Sequence, residues 1–133
     1  MSQLTPLIAV HATAAILATL TGPLALWGRL GKRPRPRLHR AFGYAWVTLM
    51  LITALSALFI SGTVGPLWRG FSWIHLLVPV VLLGLFGAFW FLLRGNVRGH
   101  RRAMTGLYVG ACLVAGGFTL LPGRLMGEIL YNL

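Results

Sequence analysis

Acidic residues are almost missing from this chain. Glu128 is the only Asp or Glu among 133 residues. That removes a carboxylate dyad, a di-iron carboxylate site and a proton-relay carboxylate from consideration. It also removes any hard-cation cage built from acidic side chains. A zinc hydrolase wants three clustered protein ligands and a base, and the histidines here fall in separated pairs. A nucleophile triad would lack its acidic orienter. Cysteine is equally scarce. Cys112 stands alone, so it forms no intrachain disulfide, and there is no C-x-x-C-H for covalent haem attachment. It reads as a small buried packing residue. Period-two alternation is missing too, which argues against a barrel. No Lys or Arg precedes the first apolar run, which is longer than a usual signal-peptide core, so a retained helix is expected there.

What is present is hydrophobic sequence. Apolar residues make up 57% and charged residues 10% of the chain, too few polar groups to cover a soluble domain. Four apolar runs of at least 19 residues cover about 7–27, 41–60, 71–93 and 103–121. Each is long enough to cross a hydrocarbon core of about 30 Å as a helix, and lipid leaves helices as the way to satisfy the backbone. The expected fold is all-α: one domain, 1–133, an integral membrane four-helix bundle with antiparallel up-down-up-down topology. Helix one starts near Pro6, and the basic, proline-rich segment GKRPRPRLH is expected to be extended before helix two opens near Leu38. Pro122-Gly123 stops helix four. The tail 122–133 could lie as a short amphipathic helix on the outer surface.

The formal net charge is +11, and its placement decides its meaning. Arg29, Lys32, Arg33, Arg35, Arg37 and Arg40 flank the first loop, and Arg94, Arg98, Arg101 and Arg102 the third. Only Arg69 and Arg124 lie on the other side. Ten cations against two puts loops one and three in the cytoplasm and both termini outside. The charge is therefore read as orientation plus contact with anionic lipid at the cytoplasmic loops, with no nucleic-acid partner. The expected location is a bacterial inner membrane.

Four histidines carry the functional signal. His11 and His75 lie inside the first and third apolar runs; His39 and His100 lie at the entrances of the second and fourth. Four crossings bring His11 and His75 to one side and His39 and His100 to the other. Ionisable groups inside a span are costly and usually functional. A neutral imidazole bonded to a backbone carbonyl or hydroxyl of a neighbouring helix is the plainer explanation. His11 precedes Arg29 by 18 residues, about 27 Å of helix at about 1.5 Å per residue. The two pairs are thus near opposite faces. Neutral imidazole is a good iron ligand, and facing bundle helices can hold a haem. The expected cofactors are two non-covalent haems b, on His11 with His75 and on His39 with His100. Arg40, Arg101, Arg102 and Arg124 are the candidate propionate partners. On the His11 face, Ala14, Ala15, Ala18 and Gly22 form a small stripe that reads either as clearance for a porphyrin or as a close helix contact. Gly106 and Gly110 have the same two readings. Tyr44, Trp46 and Tyr108 could line a quinone pocket, or serve as interface anchors.

A weak internal repeat accompanies the histidines. His11 precedes Trp27 by 16 residues and His75 precedes Trp90 by 15. Both even helices open with His-Arg and then reach Gly and Tyr. Two hairpins related by a pseudo-twofold axis would produce this; so would the shared Trp, Arg and Gly endings of membrane hairpins.

The segments LHRAFGYAWVTLMLITALSALFI, HRRAMTGLYVG and GGFTLLPGR resemble a bacterial family of predicted four-helix membrane proteins of unknown function, DUF2306, over about residues 8–127. The resemblance implies a fold and no established activity. The paired histidines are also similar in arrangement to transmembrane di-haem cytochromes of the b type, with one departure: His39 and His100 are nearer the helix ends. The leading expectation is a bis-histidine di-haem electron-transfer protein, a membrane oxidoreductase or electron carrier served by a quinone or another small redox donor or acceptor. The alternative is a non-catalytic membrane subunit or assembly factor whose histidines are structural or bind a metal transiently. A transporter is weakest, because no intramembrane acid or broken helix pair marks a pathway.

Overall fold

The computed structural model describes residues 5–30, 32–60, 66–68, 71–122 and 125–133. Helix α1 spans Pro6–Trp27 and α2 spans Pro36–Ala57. A two-stranded antiparallel pair, β1 (Pro66–Trp68) with β2 (Phe71–Ser72), follows. A 3-10 turn, Trp73–Leu76, leads into α3 (Leu77–Leu93). Helix α4 (Val97–Leu107) continues as a π-helix over Tyr108–Ala115 and then as α5 (Gly116–Thr119). A last helix, α6, covers Leu125–Tyr131, so the expected helical tail is present.

Local chemistry explains the ends. The Thr5 hydroxyl accepts from the Ile8 N–H at 3.3 Å and caps α1, with Pro6 in the first turn. Pro36 takes the same first-turn position in α2. The Asn96 side chain accepts from the Gly99 N–H at 2.8 Å and caps α4, after Gly95 turns the chain at φ +73°. The even helices therefore start at residues 36 and 97, earlier than the expected 38–41 and 103. Helix three was expected from residue 71, yet α3 starts at Leu77 because Phe71–Ser72 pairs with β1 first.

The beginning of α1 lies against the end of α2, and the end of α1 against the beginning of α2. The same holds late in α3 and early in α4. The α2–α3 and α1–π-helix contacts join the two hairpins. One core results, drawing on Ala18, Trp46, Met50, Ala54, Val78, Val81, Leu85, Leu107 and Cys112. Its composition is inverted relative to a soluble protein. Alanines and valines fill much of the inside, while Leu83 is 70% exposed, Phe86 69% and Leu20 61%. Water would penalise that surface; lipid does not, and small residues let membrane helices approach. Helices α1 and α2 are each long and apolar enough to cross a membrane.

The small stripe on α1 is a packing surface. Ala14 and Ala18 are buried, and Ala18 belongs to the core. A Cβ on Gly22 would stand 2.5 Å from the Tyr108 ring. Helix α1 carries Pro23 in its interior, and a proline there deprives the carbonyl four residues back of its helical N–H. That carbonyl is Thr19 O, and the Tyr108 hydroxyl donates to it at 2.9 Å. Gly22 thus makes room for the ring that repairs the backbone next door. Tyr108→Phe is expected to cost about 0.6–1.7 kcal/mol, the range for a side-chain hydrogen bond between membrane helices. In a Pro23→Ala background the restored N–H should take Thr19 O, and the cost should shrink. Thermal unfolding of the four proteins in detergent measures the difference; equal costs in both backgrounds would contradict it.

Gly106 and Gly110 pack on nothing within the described residues. Both are exposed, and an added Cβ would meet no atom within 4 Å. They neither bring these helices together nor open space inside the bundle.

Candidate histidine site

Each of the four imidazoles sits on a main-chain carbonyl. His39 Nδ1 lies 2.8 Å from Ala25 O, and His100 Nδ1 2.9 Å from Ala88 O. His11 Nδ1 lies 2.9 Å from Thr53 O and 2.9 Å from Ser56 Oγ. Ser56 is buried, and its hydroxyl donates to Thr53 O at 3.0 Å. His75 uses the other nitrogen: Nε2 lies 2.7 Å from Ile60 O. A carbonyl only accepts, so the proton in each bond belongs to the ring. In neutral His11, His39 and His100 the lone pair is then on Nε2; in His75 it is on Nδ1.

The four rings divide between the two ends of the helices. His11 and His75 gather at the C-terminal end of α2, on carbonyls at residues 53 and 60. His39 and His100 sit at the other end, on the closing turns of α1 and α3. Because α2 and α4 begin early, His39 and His100 stand about one turn inside their helices and not at the entrance.

The inner tier is built twice from one plan. Ala25-Leu26-Trp27 and Ala88-Phe89-Trp90 each offer an alanine carbonyl to a histidine and, two residues on, a tryptophan to an arginine. The Arg35 guanidinium lies 4.9 Å from the Trp27 ring centroid and that of Arg94 4.8 Å from Trp90. Such exposed contacts contribute about 0.5–1 kcal/mol each. The receiving histidines stand in Arg37-Leu38-His39-Arg40 and Arg98-Gly99-His100-Arg101. This supports the repeat. The A-x-W motif is a further signal of it in the sequence, beside the His-Arg openings.

Whether these residues suit a haem divides into chemistry and space. The chemistry suits it: a ring that donates Nδ1–H to a carbonyl is the usual support of a metal-binding histidine. The space is narrower than expected. The α1 stripe is occupied by protein, and the open groove beside it, between Val10, Thr13, Ala14, Leu17, Leu49 and Ile52, contains no histidine. Among the described residues, no three His, Cys, Asp or Glu cluster closely enough to hold a metal ion on protein ligands alone.

The other expected site residues fall in different places. Arg101 and Arg102 line an open groove with Arg98 and Thr105. Those positions recur at three- and four-residue spacing on the outer face of α4, whereas His100 and Leu107 face inward. Arg40 is exposed at the start of α2. Arg124, like Arg69, lies outside the described residues. Tyr44, Trp46 and Tyr108 do not share a pocket: Tyr44 is 67% exposed, Trp46 is buried, and the Tyr108 hydroxyl is spent on Thr19. The buried Trp46 Nε1 has no hydrogen-bond partner among the described residues.

Compared with known proteins, residues 8–127 match a family model described as "Predicted membrane protein (DUF2306)". No curated protein matches, and no solved structure does.

Proposed function

We propose, from the premise that this chain belongs to the DUF2306 family of predicted membrane proteins, that it is a four-pass membrane protein holding non-covalent haem b on paired histidines for electron transfer. Its four helical stretches cross the bilayer antiparallel, up-down-up-down, with both termini outside. The loops at 28–35 and 94–96 would then lie in the cytoplasm, with a bacterial inner membrane as the proposed location.

The observation that carries the haem reading is the equivalent seating of His39 and His100. Each fixes its ring on the preceding helix by Nδ1, at 2.8 and 2.9 Å, and so holds Nε2 as the ligand atom. Those two residues would hold the inner haem, and His11 with His75 the outer one. Haem supplies one-electron chemistry; the chain supplies ligation, burial and the charge that sets the potential. Arg124 is the candidate cation left for a propionate. A quinol or another small carrier, reaching the site from lipid or from the surface, would complete the circuit.

The test is a visible spectrum and pyridine haemochrome of the purified chain. The expected result is a red protein with about two haems b. A colourless protein after haem supplementation during expression would sink this reading. One observation favours a second reading: every imidazole already has a structural occupation on a main-chain carbonyl. A membrane subunit or assembly factor with such histidines would be colourless and equally well folded.

A further inference from the structure

We infer that the outer face of α4 is a binding site for the phosphate-bearing headgroup of an anionic phospholipid, formed by Arg98, Arg101, Arg102 and Thr105. The inference rests on the transmembrane placement proposed above and is independent of haem.

The four side chains line one open groove. All four are exposed, on successive turns of one helix face. Among the described residues no acidic side chain pairs with them. The sole acid, Glu128, is in α6, beyond the far end of the α4–α5 stretch. From Arg102 to Thr119 that stretch rises about 25 Å at about 1.5 Å per residue. The arginines also occupy the opening turns of α4, where the unsatisfied N–H groups add positive potential. Cations at that end of a helix repel it, so the local charge calls for an anion. Guanidinium forks match phosphate oxygens in pairs, and the Thr105 hydroxyl supplies a neutral donor one turn deeper.

Depth then selects a lipid over soluble phosphate. Below Thr105 the same helix exposes Val109 and Leu113, so a headgroup in the groove has its acyl chains running along apolar surface. The equivalent face of α2 carries Arg37 and Arg40 but has Ala41 and Tyr44 where α4 has Arg102 and Thr105. It is a weaker version of the site and serves as an internal control.

Native mass spectrometry of the full chain in detergent, with phosphatidylglycerol, phosphatidylcholine or inorganic phosphate added, tests this. Phosphatidylglycerol should be retained on the order of tenfold more than phosphatidylcholine, and added salt should reduce the preference. Arg98→Gln/Arg101→Gln/Arg102→Gln should bring the two lipids within about twofold, while Arg37→Gln/Arg40→Gln should keep most of the difference. The single Arg102→Gln variant, with a mild structural burden, should give an intermediate loss even if the triple variant does not fold. An unchanged preference in the folded variants, equal retention of both lipids by the parent chain, or displacement of phosphatidylglycerol by millimolar inorganic phosphate would overturn the site. A colourless protein that still selects phosphatidylglycerol would count against haem alone.

Discussion

His39→Ala and His100→Ala are each expected to remove one of two haems from the purified protein, and the double variant to remove no more than either single one. A bis-histidine site fails once either axial ligand is gone, so deleting the second changes little. The Soret band should fall by about half in all three while the second haem remains. Loss of the carbonyl bonds to Ala25 or Ala88 has a separate and smaller signature. A membrane-embedded side-chain hydrogen bond contributes about 0.6 kcal/mol on average, which shifts the melting temperature by a few degrees at most. Colour and stability are therefore independent readouts: ligation changes the first strongly, stapling only the second. His11→Ala and His75→Ala should match each other in the same way and spare the inner haem. Four single variants with indistinguishable partial losses would refute the pairing, because His11 and the Ala25 carbonyl that seats His39 are 14 residues apart on α1, about 21 Å at about 1.5 Å per residue, which no single iron spans.

How much of this was legible beforehand depends on what each feature is made of. Helix α1 was placed within a residue, because Pro6 and the apolar run both announce it. Helices α2 and α4 start five or six residues before the apolar runs at 41 and 103. Their first turns hold arginines, and counting apolar residues leaves those turns out. A membrane helix keeps its charged turns in the headgroup layer, so hydropathy marks the hydrocarbon depth and caps such as Asn96 mark the true end. The π-helix had no periodic signature; the glycines around it only permit it. The two histidine tiers were legible because depth follows from counting along helices. Their partners were not: any residue can offer a carbonyl, so the bonds to Ala25, Ala88, Thr53 and Ile60 leave no trace in side-chain identity. Pro23 was a signal left unused. A proline inside a span leaves a carbonyl four residues back in need of a donor, and reading Gly22 as part of a stripe obscured that Tyr108 supplies it.

Labelling with a membrane-impermeant thiol reagent is expected to divide the chain without intermediate values. The native Cys112 is buried, and Cys112→Ala gives a thiol-free background. In that background Asn132→Cys should react in intact cells, and Pro34→Cys should react only after the membrane is opened. The driving force is the ten-to-two distribution of cations. The two loops that hold or border ten of them are short, the regime in which basic residues set orientation. Each arginine taken outward would also move against the membrane potential, at about 2.3 kcal/mol per charge per 100 mV. The inner ends of both hairpins repeat one plan, with Trp27 under Arg35 and Trp90 under Arg94. Interfacial tryptophans with paired arginines are a structure for the membrane surface, so the two basic loops should lie at the same face. Protection of Pro34→Cys with reaction at Asn132→Cys therefore also puts the Arg98–Arg102 groove at the cytoplasmic leaflet, where anionic lipid attracts basic segments. The opposite labelling pattern would invert the fold in the membrane, carry His39 and His100 to the outer face and leave that groove without its expected lipid.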